Sequence, residues 1–349
     1  HRGPDQSGYF VSKDNHLAIT HLRLSIHDLS DAGRQPMESF CGRFVIAFNG
    51  EIYNFKDLKK QLKKSIFWRG NSDTEVLVNA ISTWGLEKTL PKLNGMFAFV
   101  LFDRLDNTVS FARDRFGEKP LYIYSDSNGF AFSSELRPIE EFTNQLSINQ
   151  NSVNALFQYS YIPSPFSIYN EVFKLPAGSY IRVSLEKNVV LNVDKANSYW
   201  SVADAVSNGI LNQSNHSDYE ESCIFVEDAL KKSVFDRMSS DVPLGAFLSG
   251  GIDSTCIAAL MQTQSKSKIK TFSIGFNDDN YNEAHHAKAV AKILGTEHHE
   301  MYLEPSDMLN YVPKLSQIYD EPFADSSQLP TLMVSQFAKK HVTVALTGD

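Results

Sequence analysis

The 349 residues carry a formal net charge of −8, with 42% hydrophobic and 21% charged residues. That balance excludes wholesale disorder, and the acidic charge argues against a nucleic-acid surface, which needs clustered Lys and Arg. No run of 18 uncharged apolar residues occurs, so no membrane-spanning helix is predicted, and three cysteines give no disulfide framework and fit a reducing cytoplasm. At about 100–200 residues per domain, the length predicts two domains or three. The chain opens on His1 rather than Met, and Asp349 directly follows an apolar strand, so both ends are expected to be cut.

The first 140 or so residues read as mostly β. Strands are predicted over 43–48, 96–102, 120–124 and 130–132, punctuated by turn signals at Asp106-Asn107 and Ser127-Asn128-Gly129. These runs lack polar alternation, so both faces of each strand are expected to be covered. Two sheets packed face to face would cover one side, and helices predicted over 55–64 and 73–84 would cover the other. Residues 140–200 are mixed, and 201–216 are rich in Ser, Asn and Gly, which marks a linker. From 217 the pattern changes. Ser217 and Glu220 read as a capping box, with Cys223, Val226, Leu230 and Val234 on one helical face. Strands over 242–248, 270–276, 298–303 and 341–346 then alternate with helices over 253–263, 283–294, 305–319 and 328–340, the pattern of a parallel α/β sheet.

Ser249-Gly250-Gly251-Ile252-Asp253-Ser254 follows an apolar strand and opens a helix. Free N–H groups and the helix dipole point at any anion there, the glycines let the backbone approach it, and Ser249 and Ser254 add hydroxyls. Asp253 would repel bare phosphate and reach it through Mg²⁺. The loop lacks the Gly-Lys-Ser/Thr ending of a Walker A sequence, which argues against γ-phosphoryl transfer. A ligand-free strand-to-helix turn is the plainer alternative. Ile274-Gly275 and Thr347-Gly348-Asp349 also stand at carboxyl ends of strands, where open α/β sheets bind ligands.

Four amino-terminal segments stand out: His1–Asp5, Arg23–Ile26, Asn49–Asn54 and Ser72–Glu75. Singly they have ordinary readings. Asn-Gly is a common hairpin turn, Ser-Asp-Thr-Glu an ordinary helix start, and a lone Arg a solvated face. Together they suit an α-amino-acid pocket. Arg23 could hold a carboxylate, Asp73 an ammonium, and the Asn49 amide with the Gly50 N–H an oxyanion. A nucleophile is missing. Cys223 and Cys256 read as core residues, and Cys41 has no neighbouring base. His285-His286 and His298-His299 lack metal-ligand spacing.

The segments HRGPD, RLSI, FNGEIYN, GNSDTEV, LNGMFAFVLFD, ARDRFGEKPLY, VPLGAFLSGGIDS, TFSIGF and ALTGD resemble, in order and over essentially the whole chain, the glutamine-dependent asparagine synthetase family. The resemblance implies an α+β N-terminal-nucleophile domain, an αββα sandwich, over 1–200, a linker over 201–216, and an α/β parallel-sheet ATP pyrophosphatase domain over 217–349. It implies glutamine binding by Arg23, Leu24, Ser25, Ile26, His27, Asn49, Gly50, Glu51 and Asp73. It implies ATP binding by Leu248, Ser249, Gly250, Gly251, Asp253, Ser254, Ile274, Thr347 and Gly348, with Mg²⁺ on Asp253. Asp349 stands where the family has an acid linked to forming the acyl-adenylate. The family nucleophile, an amino-terminal cysteine, would precede His1. Thr347 replaces the commoner Ser.

The implied reaction hydrolyses glutamine to ammonia, adenylates the aspartate side chain with ATP, and yields asparagine, AMP and pyrophosphate in the cytoplasm, from a monomer or a homodimer, with neither nucleic acid nor membrane as partner. The forms GEKPLY, DEPFADSS (Asp320–Ser327) and LTGD resemble a subgroup found among surface-polysaccharide genes, whose acceptor would be a sugar carboxylate. A non-catalytic binding module is the rival of a different class, and the intact Arg23, Asn49, Asp73 and 249–254 loop argue against it.

Overall fold

The computed structural model describes residues 2–348 apart from Asn15, Lys64, 186–189, 212–217 and 277–282. The chain forms two compact units, His1–Gln213 with Tyr319–Ala324, and Ser214–Ile318 with Asp325–Asp349.

In the first unit the strands are β1 (Gln6–Val11), β2 (Ala18–Arg23), β3 (Met37–Glu38), β4 (Phe44–Ile52), β5 (Gly95–Asp103), β6 (Thr108–Arg113), β7 (Tyr122–Ser125), β8 (Phe130–Ser133), β9 (Val172–Lys174), β10 (Ser179–Ser184) and β11 (Asn197–Ser198). The helices are α1 (Phe55–Gln61), α2 (Asp73–Trp84), α3 (Leu86–Thr89), α4 (Arg137–Phe142), α5 (Gln150–Tyr159) and α6 (Val202–Leu211). Thus a helix occupies much of the segment whose composition predicts a linker, and 212–216 lie outside the described residues.

An antiparallel sheet runs β11-β10-β6-β5-β4-β3. Its centre is β4 against β5, in register from Phe44↔Asp103 to Ile52↔Gly95. Successive side chains on a strand point to opposite faces, and in this pair both sets are apolar. Phe44, Ile46, Phe48, Phe97, Phe99 and Leu101 share one core with Phe55 and Leu58 of α1 and Val76, Leu77, Ala80 and Ile81 of α2. Val45, Ala47, Ala98, Val100 and Phe102 share another with Leu17, Ile19, Leu121 and Ile123 of the second β layer. That layer contains the β1-β2 hairpin and the sheet β8-β7-β9. On its far side Tyr122, Tyr124 and Val172 pack with Leu136 and with Ile139 of α4. The order of layers is α, β, β, α, as the resemblance implies.

Local chemistry sets the boundaries. The Ser72 side chain accepts from the Glu75 N–H and starts α2, and Gly85, at φ +86°, ends it. The ARDRFGEK segment is wound on Asp114, a buried carboxylate that accepts from the N–H groups of Phe97, Phe116, Glu118 and Lys119.

The second unit contains β12 (Leu244–Phe247), β13 (Lys270–Phe276), β14 (Glu297–Leu303) and β15 (Val344–Leu346), all parallel in the order β14-β13-β12-β15. Its helices are α7 (Tyr219–Arg237), α8 (Ile252–Gln264), α9 (Ala284–Leu294), α10 (Pro305–Leu309), α11 (Leu315–Ile318) and α12 (Gln328–Ala338). Three details differ from expectation. The helix predicted over 305–319 is broken by a 3₁₀ turn at Val312–Lys314, where Pro313 removes a backbone donor. Asp218, not Ser217, caps α7, because its carboxylate reaches the Glu220 N–H; Ser217 lies outside the described residues. On the predicted face of α7 only Val234 is buried, while Cys223, Val226 and Leu230 are exposed, so Cys223 is not a core residue.

The double burial of the central sheet makes a direct prediction. Leu77→Ala empties a fully buried site between α2 and β4 and should cost about 2–5 kcal/mol. Leu105→Ala, in an exposed turn, should stay within about 0.5 kcal/mol. Urea unfolding of both variants checks the contrast.

Candidate active site

Between the layers of the first unit lies a cavity of about 1300 Å³. Its wall includes Arg23, Leu24, Ile26, His27, Asn49, Gly50, Glu51 and Asp73, so eight of the nine residues expected at a glutamine site come together; Ser25 is not on the wall. Asn49 and Gly50 sit inside β4, opposite Ala98 and Phe97, which excludes the hairpin reading of Asn-Gly. Gly50 adopts φ +153°, and a Cβ there would lie 2.1 Å from the Met96 carbonyl oxygen. Only glycine fits the strand at such close approach to β5. The Asn49 Nδ2 donates to Ser134 Oγ at 3.2 Å.

The charges are built in with specific partners. Asp73 opens α2 and is buried; its carboxylate accepts from the N–H groups of Ile52 at 2.9 Å and Thr74 at 2.7 Å. Burial nonetheless pushes its pKa up, against those hydrogen bonds and the nearby His27. His27 Nε2 stands 3.9 Å from Glu51 Oε1, with both side chains buried. Arg23 is also buried, and its fork is committed to the protein. Nη1 donates to Gln6 Oε1 at 2.7 Å, and Nη2 donates to the carbonyls of His27 at 2.8 Å and Asp28 at 2.7 Å. In place of the expected free bidentate donor stands a residue that ties the 27–30 loop to β2, its N–H groups satisfying backbone carbonyls that burial would otherwise leave unpaired. Gly33 makes room for it, since a Cβ there would fall 2.0 Å from Nη2. Ser25 is held from the side, its N–H donating to Asp5 Oδ2 at 2.7 Å.

Cys41 lies outside this wall. Its thiol contacts Ser39 Oγ at 3.3 Å and Ser82 Oγ at 3.1 Å. Burial raises its pKa, but these hydroxyls and backbone donors outweigh that and leave it lowered.

In the second unit the 249–254 loop follows β12, next to which the strand order reverses direction toward β15. Gly250 adopts φ +87°, and a Cβ there would meet Ala287 N and His286 Cβ at 2.8 Å. Ser254 Oγ lies 2.9 Å from Ser249 Oγ and accepts from the Ser249 N–H at 3.2 Å. Gly251 is the N-cap of α8 and offers no side-chain cap, so the first N–H groups of α8 have no intrahelical partner. Gly348 abuts the same place; a Cβ on it would be 2.6 Å from Ser254 N. Leu248 is buried at the end of β12, its N–H on the Phe272 carbonyl at 2.9 Å, and Ile274 is half-buried farther along β13. Thr347 and Asp253 are exposed, and Asp349 lies outside the described residues. Among the described residues no group of three or more His, Cys, Asp or Glu side chains is placed to hold a metal ion.

The family model of the glutamine amidotransferase domain matches residues 1–200, and that of asparagine synthase matches 226–349. A protein of Methanocaldococcus jannaschii, provisionally named asparagine synthetase (glutamine-hydrolyzing) 2, is 37% identical over all of this chain and 68% of its own length. The chain belongs to the glutamine-hydrolysing asparagine synthetase family. Asparagine synthetase (glutamine-hydrolyzing) 1 of Bacillus subtilis is 34% identical over all of this chain and 52% of its own length. Asparagine synthetase (glutamine-hydrolyzing) 3 of the same organism is 27% identical, over 57% of its length. The chain thus spans about half to two thirds of the length of these relatives.

Within this asparagine-synthetase frame the cavity has further walls that sequence reasoning did not assign. Gln35 accepts from the Phe48 N–H at 2.7 Å and donates to Thr74 Oγ1 at 3.3 Å. Lys119, Ser134 and His21 also line it. GEKPLY flagged Lys119 as part of a segment, but nothing in the pattern says that its side chain faces Glu51. Burial lowers its pKa, and Glu51 opposes that shift.

His21 gives this cavity a measurable pH signature. Its Nε2 bonds the Phe48 carbonyl at 3.0 Å, and its Nδ1 is buried without a partner. Burial lowers its pKa below the usual 6.5. The unfolded chain then binds the proton more readily, so stability is lost as pH falls below about 6.5 toward the folded pKa. Urea midpoints should fall between pH 7.5 and pH 5, and His21→Gln should show a smaller fall. Equal falls would remove His21 as the cause.

Proposed function

We propose that this protein is an ATP-dependent carbon–nitrogen ligase that takes ammonia from glutamine and makes asparagine from aspartate. Residues 1–200 serve as the amidotransferase domain and 217–349 as the synthetase domain. The observation that carries this reading is the convergence of Asn49, Gly50, Glu51 and Asp73 on one cavity in a fold whose centre they occupy. Residues of two elements, β4 and α2, need no common polar cavity for stability, and buried carboxylates cost free energy unless paired.

In the first half-reaction the glutamine ammonium pairs with Asp73 and Glu51, whose burial strengthens the attraction. Leu24, Ile26 and His27 shape the wall, Ser25 stands between them in the chain, and Arg23 holds the loop that begins at His27. A thiolate attacks the side-chain amide, and the Asn49 amide and Gly50 N–H stabilise the oxyanion. Ammonia leaves, and water cleaves the thioester to release glutamate. None of Cys41, Cys223 and Cys256 is the nucleophile in this scheme.

In the second half-reaction ATP lies along Leu248, the 249–254 loop, Ile274, Thr347 and Gly348. The two loop glycines, the hydroxyls of Ser249 and Ser254 and the uncapped start of α8 fit a pyrophosphate group. The carboxylate attacks the α-phosphate, pyrophosphate leaves, and ammonia then displaces AMP. A magnesium ion, held by Asp253, would offset charge on the leaving pyrophosphate. Asp349 is the acid assigned beside the forming adenylate. A homodimer in the cytoplasm suits this reading.

Full-length protein given glutamine, aspartate and ATP should yield asparagine, AMP and pyrophosphate in equal amounts. ADP and phosphate as products would overturn the adenylation scheme, and amidation of a uronic acid in place of aspartate would reassign the acceptor. A glutamine-analogue affinity label should attach to none of Cys41, Cys223 and Cys256. Asp253→Asn should abolish synthesis from glutamine and from ammonia while glutamine hydrolysis survives. Asp73→Ala should do the reverse, raising the KM for glutamine by about 30-fold or more, the loss of a buried charge partner being worth about 2–5 kcal/mol, with ammonia-dependent synthesis intact.

A further inference from the structure

The segment Tyr319–Ala324 is flanked in sequence by residues of the second unit, yet it is built into the first. It begins the DEPFADSS run, to which the proposed reaction assigns no task. Glu321 seats it. One carboxylate oxygen accepts from the Ile168 N–H at 2.9 Å, and the other accepts from the Tyr122 hydroxyl at 3.3 Å and pairs with the Lys174 ammonium; both charged side chains are nearly buried. The Ala324 N–H donates to the Ser160 carbonyl at 2.7 Å.

Asp320 has a different partner. Its Oδ2 accepts from the Leu136 N–H at 2.5 Å, across 184 residues of sequence. Leu136 is the N-cap of α4 and supplies no side-chain cap of its own. A helix start of this kind leaves N–H groups unsatisfied and favours a carboxylate; Asp320 provides it from a distant segment. The turn that Asp320 pins bears Ser134, and Ser134 Oγ accepts from the Asn49 amide in the cavity.

We propose that Asp320 is a positioning residue for glutamine hydrolysis: by pinning the Ser134–Leu136 turn it aims the Asn49 carboxamide at the oxyanion. This rests on the assignment of Asn49 as an oxyanion donor. An amide aimed by a neighbour's hydroxyl needs that neighbour fixed, and a misplacement of about 1 Å at such a donor costs up to about 100-fold in rate. The seated segment makes the geometry at Asn49 depend on residues far away in the chain. Because Glu321 and Ala324 hold the segment independently, removing the Asp320 carboxylate severs the link to the turn without releasing the segment.

The test uses the full-length protein and follows glutamine hydrolysis and ammonia-dependent synthesis separately. Asp320→Ala should lower kcat for glutamine about 10-fold or more, with KM within about twofold, the signature of an interaction made in the transition state. Asp320→Asn keeps an acceptor for the Leu136 N–H and should restore most of kcat. Ser134→Ala should lower kcat in the same way, and the double variant should be little worse than the poorer single one, since both cut one chain of contacts. Ammonia-dependent synthesis should be unchanged throughout. Wild-type kcat in Asp320→Ala, equal loss in both reactions, or multiplying effects in the double variant would each overturn the proposal. Wild-type protein that hydrolyses no glutamine would overturn the functional reading instead.

Discussion

The pairing of β4 with β5 is the constraint on which the first unit depends. Nine residue pairs run from Phe44↔Asp103 to Ile52↔Gly95, and both faces of the pair are apolar. Such a sheet is stable only when water is excluded from both sides. Helices α1 and α2 must cover one face and a second β layer the other. A one-residue slip would exchange the two sets of side chains, Phe44, Ile46 and Phe48 for Val45 and Ala47, between cores shaped for different volumes. The register is therefore strongly specified, and with it the position of Asn49 and Gly50, which lie at the same end of the same strand. Site and core share a backbone.

What surrounds that strand end is polar and buried, and its cost is met by pairing. Asp73 sits where the α2 N-terminus and two N–H groups stabilise a carboxylate, yet burial still raises its pKa. A cation placed beside it would offset that cost. Arg23 is the contrasting case, since its donors are already consumed by Gln6 and by loop carbonyls. The two residues carry opposite charges, and burial disfavours the charged form of both.

The second unit solves a simpler problem. A parallel sheet in the order β14-β13-β12-β15 leaves strand ends diverging beside β12, and the loop that follows β12 needs glycine at Gly250, where φ is +87° and α9 presses close. Gly348 is required for a related reason, because its backbone rests on the start of α8. The glycines at 250 and 348 thus let the backbone pack close against α9 and the start of α8, beside the hydroxyls of Ser249 and Ser254.

Local pattern alone determined a good deal. Unbroken apolar runs located the central strands, and the Ser-Asp-Thr-Glu helix start located α2; alternation of strand and helix after 217 announced a parallel sheet; the Ser-Gly-Gly run between strand and helix marked the 249–254 loop. These features depend on residues a few positions apart, which sequence displays. Tertiary structure decided the rest. Asn49-Gly50 reads locally as a hairpin and becomes mid-strand because β5 runs past it. Arg23 turns from a free fork into a loop anchor because Gly33 leaves room for it. Cys223 and Leu230 follow helical periodicity and are nevertheless exposed on α7. Lys119 meets the field of Glu51, and Asp320 caps a helix 184 residues away. In each case the partner lies far off in sequence, and the energy of a contact depends on where that partner is, which no local period encodes.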